Sequence, residues 1–330
     1  MEPYSQESIV VLSGLEAVRR RPGMFIGGIG PAGLHNLLWE IVGNAVDEHL
    51  RGRASYVRVQ INGDAISVDD DGCGIPVDPC PHDPAKSVLE LVLTTLHGSV
   101  GFRPEHVHVG PNLFGAGAAV VNALSERLDA EVWRNGRHYQ QRYARGVALG
   151  PVRDVGPAMR NGTRITFRPD FTIFEPGTWQ RARIKRRLRE IAAMCSSFTT
   201  ILDHTAVRCP DGLADHVRYL ARHARPLCEP LRIVGARDGV EVEVAVLWTD
   251  AERPCVRGFV GTSQTRCGTH IEGLAEGLRR FATGVYVAWY PIKDPKPVAR
   301  FHSAVAAVAG PRLLRAEVML RRPVVPRSTR

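Results

Sequence analysis

The chain has 330 residues, of which 44% are hydrophobic and 23% charged, the balance of a globular protein rather than a disordered one. At roughly 100–200 residues per domain it holds about two domains, enough to bury a core without disulfide or metal staples. No apolar run reaches the roughly 18 residues of a membrane-spanning helix, and Met1-Glu2-Pro3-Tyr4 lacks the basic-then-apolar order of a signal peptide, so a cytoplasmic protein with no membrane partner is expected.

The formal charge is +9, and only four of the cations are lysines (Lys86, Lys185, Lys293 and Lys296) against 39 arginines. Arginine forks suit phosphate, but so mild an excess supports weak DNA attraction or none. Seven cysteines, an odd number without a C-x-x-C pair, suggest neither a disulfide framework nor a zinc site.

In chain order, residues 1–27 are polar and then arginine-rich, ending in the turn-like Gly27-Gly28-Ile29-Gly30-Pro31. A helix is predicted over 32–50. At about 100° per residue, Leu34, Leu38, Ile41, Val42 and Ala45 form its apolar face, with Glu40, Asn44 and Asp47 opposite. Alternation predicts strands at 55–61 and 65–70, joined at Asn62-Gly63. The second strand runs into a loop, Asp69-Asp70-Asp71-Gly72-Cys73-Gly74-Ile75-Pro76.

A helix is predicted at 87–97, a glycine-containing loop at 98–117 and a helix at 117–126. Strands follow at 129–134, 138–144 and 163–168, then a basic helix at 178–193. The pattern restarts near Cys209-Pro210-Asp211-Gly212, which sets domains at 1–208 and 209–330. The second domain is expected to hold strands at 241–248, 256–261 and 284–290 and helices at 268–281 and 302–309.

Three features carry chemistry. An acidic helix face is ordinarily solvated surface, yet Glu40 can polarise a water and Asn44 can supply an oxygen to Mg²⁺. The acidic run before Gly-Cys-Gly-Ile-Pro is ordinarily a turn, but its glycines admit a flat ligand and an Asp there can accept from an exocyclic amine. The glycine-containing loop opens into a helix near Gly117, where backbone N–H groups favour phosphate, although no Walker or Rossmann pattern is present.

In this order the features resemble the N-terminal ATPase region of bacterial gyrase B and topoisomerase IV B, of the GHKL class. The matching stretches are Tyr4-Ser-x-x-Ser-Ile, Gly14-Leu-Glu-Ala-Val-Arg-x-Arg-Pro-Gly-Met-Phe-Ile-Gly27, Glu40-Ile-Val-Gly-Asn44-Ala-Val-Asp47-Glu48, Asp70-Asp-Gly-Cys-Gly-Ile-Pro76, Asn161-Gly-Thr163 and Gly268-Thr-His-Ile-Glu-Gly273. The likeness runs over about residues 4–318.

The resemblance implies an α+β chain: a GHKL (Bergerat) α/β sandwich with a mixed sheet, then a smaller transducer domain of ribosomal-protein-S5-like fold. It implies ATP and Mg²⁺ as cofactors, Glu40 as general base and Asn44 as metal ligand. Asp70 would read adenine, with Gly74 and Thr163 beside it. Asp47, Ile75 and Pro76 would line the pocket, Gly115 and Gly117 would belong to the phosphate lid, and Arg134 falls on an arginine that contacts coumarins. Tyr4 and Ile9 would lie in an arm that embraces a second copy, and a gyrase or topoisomerase subunit is an implied partner.

The departures cluster around the triphosphate. The family lid Gly-Gly-Leu-His-Gly-Val-Gly reads Pro111-Asn112-Leu113-Phe114-Gly115-Ala116-Gly117 here. A lid lysine becomes Gly101, a lid tyrosine Val107, the arginine of the second motif Cys73, and a histidine near the catalytic glutamate Asn36. The family's Gln-Thr-Lys-Thr-Lys-Leu loop aligns with Arg300-Phe301-His302-Ser303-Ala304-Val305, where only a protonated His302 could replace the lysine.

Three readings stay open. One is Mg·ATP binding with weak or absent hydrolysis, without the family's DNA-cleavage domain. Another is a repurposed pocket for a non-nucleotide small molecule, in a tailoring enzyme using Glu40 as acid or base or in a resistance protein that binds gyrase inhibitors. A purely interacting module is a third.

Overall fold

The structure is a computed structural model and describes residues 12, 14–81, 83–98, 115–237, 240–251, 255–265, 267–282, 304–305 and 315–321. It forms two compact units, Met1–Ile184 with Thr200–Ala206, and Lys185–Thr199 with Val207–Arg330.

The first unit opens with two short helices the sequence pattern does not announce, α1 (Gly14–Arg20) and α2 (Gly23–Ile26). The central helix α3 (Pro31–Leu50) starts on a proline, whose fixed φ and missing N–H suit a first helical position. Its apolar stripe, Leu34, Leu37, Leu38, Ile41, Val42 and Ala45, is buried. Near its start Gly33 lies against the Gly28 carbonyl, where a Cβ would sit 1.8 Å from the oxygen, so only glycine fits.

The hairpin of β1 (Tyr56–Asn62) and β2 (Ala65–Asp70) pairs Asn62 with Ala65. The turn residues are therefore Gly63 and Asp64, with Gly63 at φ +63°, one step beyond the expected Asn-Gly pair. A small hairpin, β3 (Pro79–Cys80) with β4 (Asp83–Ser87), precedes α4 (Val88–Thr94). Ser87 caps α4 by accepting from Glu90 N–H at 3.0 Å. The helix stops three residues before the expected end, because Thr95 is extended and His97 takes φ +62°.

Helix α5 (Gly117–Ala123) likewise ends early, since Ser125 already pairs with Pro169 in the sheet. The sheet holds β5 (Ser125–Arg134), β6 (Arg137–Ala144), β7 (Val147–Ala148), β8 (Arg153–Pro157), β9 (Gly162–Pro169), β10 (Thr199–Leu202) and β11 (Thr205–Val207) beside β1 and β2. Its order is β11-β10-β1-β2-β9-β5-β6-β7, with β8 on β6. Val57, Val59, Ile66, Leu128, Ala130, Val132 and Phe167 bury one face, which packs with α3 and α5. Across the other runs a charged row: Asp69, 1% exposed, faces Arg58 at 3.7 Å, Arg160 at 2.8 Å and Arg164 at 3.5 Å.

Asp170, just after β9, receives Arg19 of α1 and Arg145, each at 2.8 Å. Burial works to raise its carboxyl, but hydrogen bonds from Thr172, Arg19 and Arg145 outweigh that and hold it far below the usual carboxylate range. His35 is fully buried with Nδ1 2.7 Å from the Pro31 carbonyl while Nε2 accepts from Gln180 N–H. Burial, the largest influence, lowers its pKa.

Basic helix α6 (Arg181–Met194) precedes β10. The second unit contains α7 (Leu213–Leu220), β12 (Leu231–Arg237), β13 (Val240–Leu247), β14 (Cys255–Val260), β15 (Ser263–Thr265), α8 (Thr269–Ala282), β16 (Ala304–Val305) and β17 (Arg315–Arg321). Its mixed sheet runs β12-β13-β17-β14-β15 with β16 on β14, and β14 runs parallel to β17.

The expected helix at 302–309 is corrected at its described residues: Ala304 and Val305 pair with Phe259 and Gly258. A short apolar run has no decisive period, and pairing in the sheet settles its form. The strand expected at 284–290 lies outside the described residues. Among the described residues no helix is long and apolar enough to cross a membrane.

Candidate functional site

The site is built where the loop after β2 meets α3, β5 and β9. Asp70 ends β2, and its Oδ1 accepts from Gly72 N–H at 2.8 Å and Thr163 N–H at 3.4 Å. Its Oδ2 accepts no hydrogen bond among the described residues. Burial is the main cause that pushes the Asp70 carboxyl up to about 7; the two backbone hydrogen bonds oppose it, and Glu48 and Asp69 add to it.

Gly74, at φ +74°, brings the loop against the sheet: a Cβ there would lie 2.6 Å from the Trp133 carbonyl. Ile75 N–H donates to Thr163 Oγ1 at 3.3 Å, and Pro76 continues the loop half-buried. Arg134, at the end of β5, donates to the Cys73 carbonyl at 3.1 Å and the Gly74 carbonyl at 2.9 Å. Arg134 thus pins the loop. Hydrogen bonds knit Asp70, Gly74, Ile75, Thr163 and Arg134 into one cluster.

Glu40, Asn44 and Asp47 occupy successive turns of α3. Glu40 and Asp47 are buried while Asn44 is exposed, so this is not the solvated acidic face that composition alone would give. Gly117 starts α5 directly against Glu40, where a Cβ would be 2.2 Å from Oε2. Gly115, at φ +81°, makes the turn that leads in.

Glu48 links the two halves. Its Oε2 accepts from the Cys73 thiol at 3.2 Å, and a Cβ on Gly72 would touch both Glu48 Cγ and Asp70 Oδ1. Burial alone would raise Glu48, but hydrogen bonds from Arg53 and Cys73 hold it below its ordinary value. Asn36 spends its amide on the Ile26 carbonyl at 2.9 Å.

Glu48 was legible only as the residue after Asp47. Arg160, which donates to the Asp70 carbonyl at 2.8 Å, was missed altogether. Its one signal was adjacency to Asn161-Gly162-Thr163. Tyr4, Ile9, Gly101, Val107, Pro111 to Phe114 and Arg300 to Ser303, including His302, lie outside the described residues.

The donor set fits the ligands the resemblance implies. Asp70 keeps an oxygen able to accept an amine beside a glycine-built shelf. Among the described residues no cluster of three His, Cys, Asp or Glu could hold a metal by itself, so Mg²⁺ would have to arrive with phosphate oxygens, as Mg²⁺ commonly does.

Comparison with known proteins identifies the family to which this fold belongs. Residues 30–173, which include every candidate from Glu40 to Thr163, match the family described as "Histidine kinase-, DNA gyrase B-, and HSP90-like ATPase". The DNA gyrase B-subunit of Archaeoglobus fulgidus is 40% identical over 289 residues, 84% of this chain and 45% of the relative. The DNA topoisomerase 4 B-subunit of Caulobacter vibrioides is 38% identical over 311 residues, 84% of this chain and 44% of the relative. The chain therefore spans a little under half the length of these relatives.

Among solved structures, the 43K ATPase domain of Thermus thermophilus gyrase B, in complex with an aminocoumarin, has a TM-score of 0.70 and 33% identity, covering 94% of this chain and 82% of that one. The gyrase B-subunit of Myxococcus xanthus has a TM-score of 0.74 and 25% identity, covering 94% and 85%. Residues 264–328 also match a family described as "Ribosomal RNA large subunit methyltransferase D, RlmJ". Most of that stretch lies outside the described residues and the gyrase structures overlap it, so it supports no methyltransferase chemistry. With a third of its residues identical across most of a gyrase B ATPase domain, the chain belongs to the family of histidine kinase-, DNA gyrase B- and HSP90-like ATPases, beside gyrase B and topoisomerase IV B.

Proposed function

We propose that the first unit binds Mg·ATP and hydrolyses it slowly. The observation that carries this reading is the Asp70 carboxyl, fixed through Oδ1 by two backbone N–H groups with Oδ2 open to a ligand amine. Gly74 and Gly162 let the loop and β9 close on the Asp70 main chain and so fix the carboxyl in place, Thr163 lies beside it, and Asp47, Ile75 and Pro76 complete the wall. Asn44 would hold Mg²⁺, which spreads the negative charge of the phosphates.

Glu40 is the general base in this reading. Its carboxylate takes a proton from water as the water oxygen bonds to the γ-phosphorus and the bond to the β,γ-bridging oxygen breaks. Gly117, against Glu40, brings backbone N–H groups of α5 toward the phosphates. Slow turnover follows from the lost charge around the triphosphate: no lysine stands at Gly101 or in Arg300 to Val305. Loss of one such contact commonly costs on the order of 10²–10³ in rate.

The reading includes pairing of two copies through the arm holding Tyr4 and Ile9, and work alongside a gyrase or topoisomerase subunit. Phosphate release is the test. Slow, Mg²⁺-dependent release is expected from the wild type, and Glu40→Gln lowers it about 100-fold or more while nucleotide affinity changes less than a few-fold. Unchanged turnover in Glu40→Gln removes Glu40 as base, and no release by the wild type removes hydrolysis.

A further inference from the structure

One four-residue stretch grips Asp70 from two sides. Thr163 N–H reaches its carboxyl oxygen at 3.4 Å, and Arg160 Nη2 donates to its main-chain carbonyl at 2.8 Å. Gly162 makes the grip possible. At φ +134°, a Cβ there would lie 2.0 Å from the Asp70 carbonyl oxygen and 2.9 Å from Arg160 Nη2.

Arg160 is itself fixed. Nη2 also donates to Asp69 Oδ1 at 2.8 Å, and the guanidinium carbon lies 4.1 Å from the centre of the Trp133 ring. His138 stacks on that ring at 4.7 Å. With its donors shared between a carboxylate and a carbonyl and its plane over an indole, Arg160 is a fixed charge rather than a solvated surface group.

The groups around Asp70 are mostly acidic. Glu48 faces it from α3, held by Arg53 and the Cys73 thiol, while Asp69 precedes it on β2 and Asp71 follows it in the loop. Asp71 is engaged by Ser55 and Tyr56 N–H groups at 2.8 and 3.0 Å. Arg134 is spent on the Cys73 and Gly74 carbonyls, and Arg58 and Arg164 face Asp69 at 3.7 and 3.5 Å. Arg160 alone among these arginines donates to a backbone atom of Asp70 itself.

We propose that Arg160 is a positioning residue for the purine-reading carboxylate, anchoring the Asp70 main chain and placing a fixed positive charge behind it. The inference rests on the adenine reading above. A neutral residue at 160 releases the carbonyl and leaves Asp70 among acids, so its ionisation moves to higher pH and the pH needed for binding follows.

The test has two readouts. Ionisation of Asp70 in the ligand-free protein is followed by carbon-13 NMR of its carboxyl carbon, assigned with Asp70→Asn. Affinity for adenosine 5′-(β,γ-imido)triphosphate with Mg²⁺ is measured across neutral pH. Arg160→Gln raises both midpoints by about half a pH unit or more and weakens binding about tenfold at neutral pH. Arg160→Lys keeps the charge and holds both midpoints near the wild-type values.

An affinity loss with unmoved midpoints in Arg160→Gln, or a lysine variant shifted as far as the glutamine one, overturns the proposal. If the wild type binds no adenine nucleotide, the reading of the pocket fails instead, and the carboxyl titration still decides the role of Arg160.

Discussion

Asp70→Asn weakens adenine-nucleotide binding about 100-fold or more and leaves the protein at least as stable as the wild type. The asparagine oxygen can still accept from Gly72 and Thr163 N–H groups, so the loop keeps its anchor. Its amide nitrogen then stands where Asp70 Oδ2 stood and opposes the ligand's amine donor to donor. Losing a charge-assisted hydrogen bond costs about 1.5–3 kcal/mol, and the opposed donors add to it, so affinity falls about 100-fold or more.

The stability half has a definite sign. The folded-state pKa of Asp70 is raised to about 7, above its unfolded value. The protonated carboxyl therefore favours the fold at low pH, and that advantage is lost as pH rises through 7. Ionised Asp70 costs the wild type on the order of 4 kcal/mol above neutrality, an upper figure for a group that keeps some solvent contact. Asparagine cannot ionise, so the melting-temperature advantage of Asp70→Asn grows between about pH 4 and pH 8. Calorimetry and melting curves at both ends check it. Retained affinity removes Asp70 as the purine reader, and a variant that melts far lower at pH 8 removes the linkage.

Gly162→Ala has the second large effect. The new Cβ would meet the Asp70 carbonyl oxygen at 2.0 Å and its carbon at 3.0 Å, main-chain atoms with no rotamer to yield, at a φ of +134°. A cost of about 3 kcal/mol or more is expected, with nucleotide binding lost as the Asp70 strand end moves. Gly136 supplies the control. It also has positive φ, +74°, but a Cβ there meets nothing within 4 Å, so Gly136→Ala carries only backbone strain of about 1 kcal/mol. Urea midpoints of the two variants separate close approach from strain; equal losses would contradict the packing of Asp70 against Gly162.

The sequence alone was most readable where local chemistry and packing agree. Helix α3 announced itself through a stripe of leucine, isoleucine and valine, though Pro31 reads locally as the end of a turn and proves to be its first residue, and the β1–β2 hairpin through alternation around Gly63. The acidic face of α3 was harder, because periodicity says which side is polar but not that Glu40 and Asp47 lie buried with Asn44 open. Where a partner strand decides, local pattern failed: Ser125 leaves the helix register to pair with Pro169, and Ala304-Val305 joins β14 despite helix-like composition. Arg160 was unreadable for the same reason. Its partners Asp69, Asp70 and Trp133 stand 27 to 91 positions away, and only the sheet order β2-β9-β5 brings them together.

Adenine-nucleotide binding at Asp70 is decided by titration calorimetry of the wild-type chain with Mg²⁺ and adenosine 5′-(β,γ-imido)triphosphate at pH 8. One site per chain is expected, with protons released on binding as pH falls toward 7, because the ligand amine favours ionised Asp70. Absence of heat at millimolar nucleotide from folded protein, or binding of equal strength to Asp70→Asn, would contradict it.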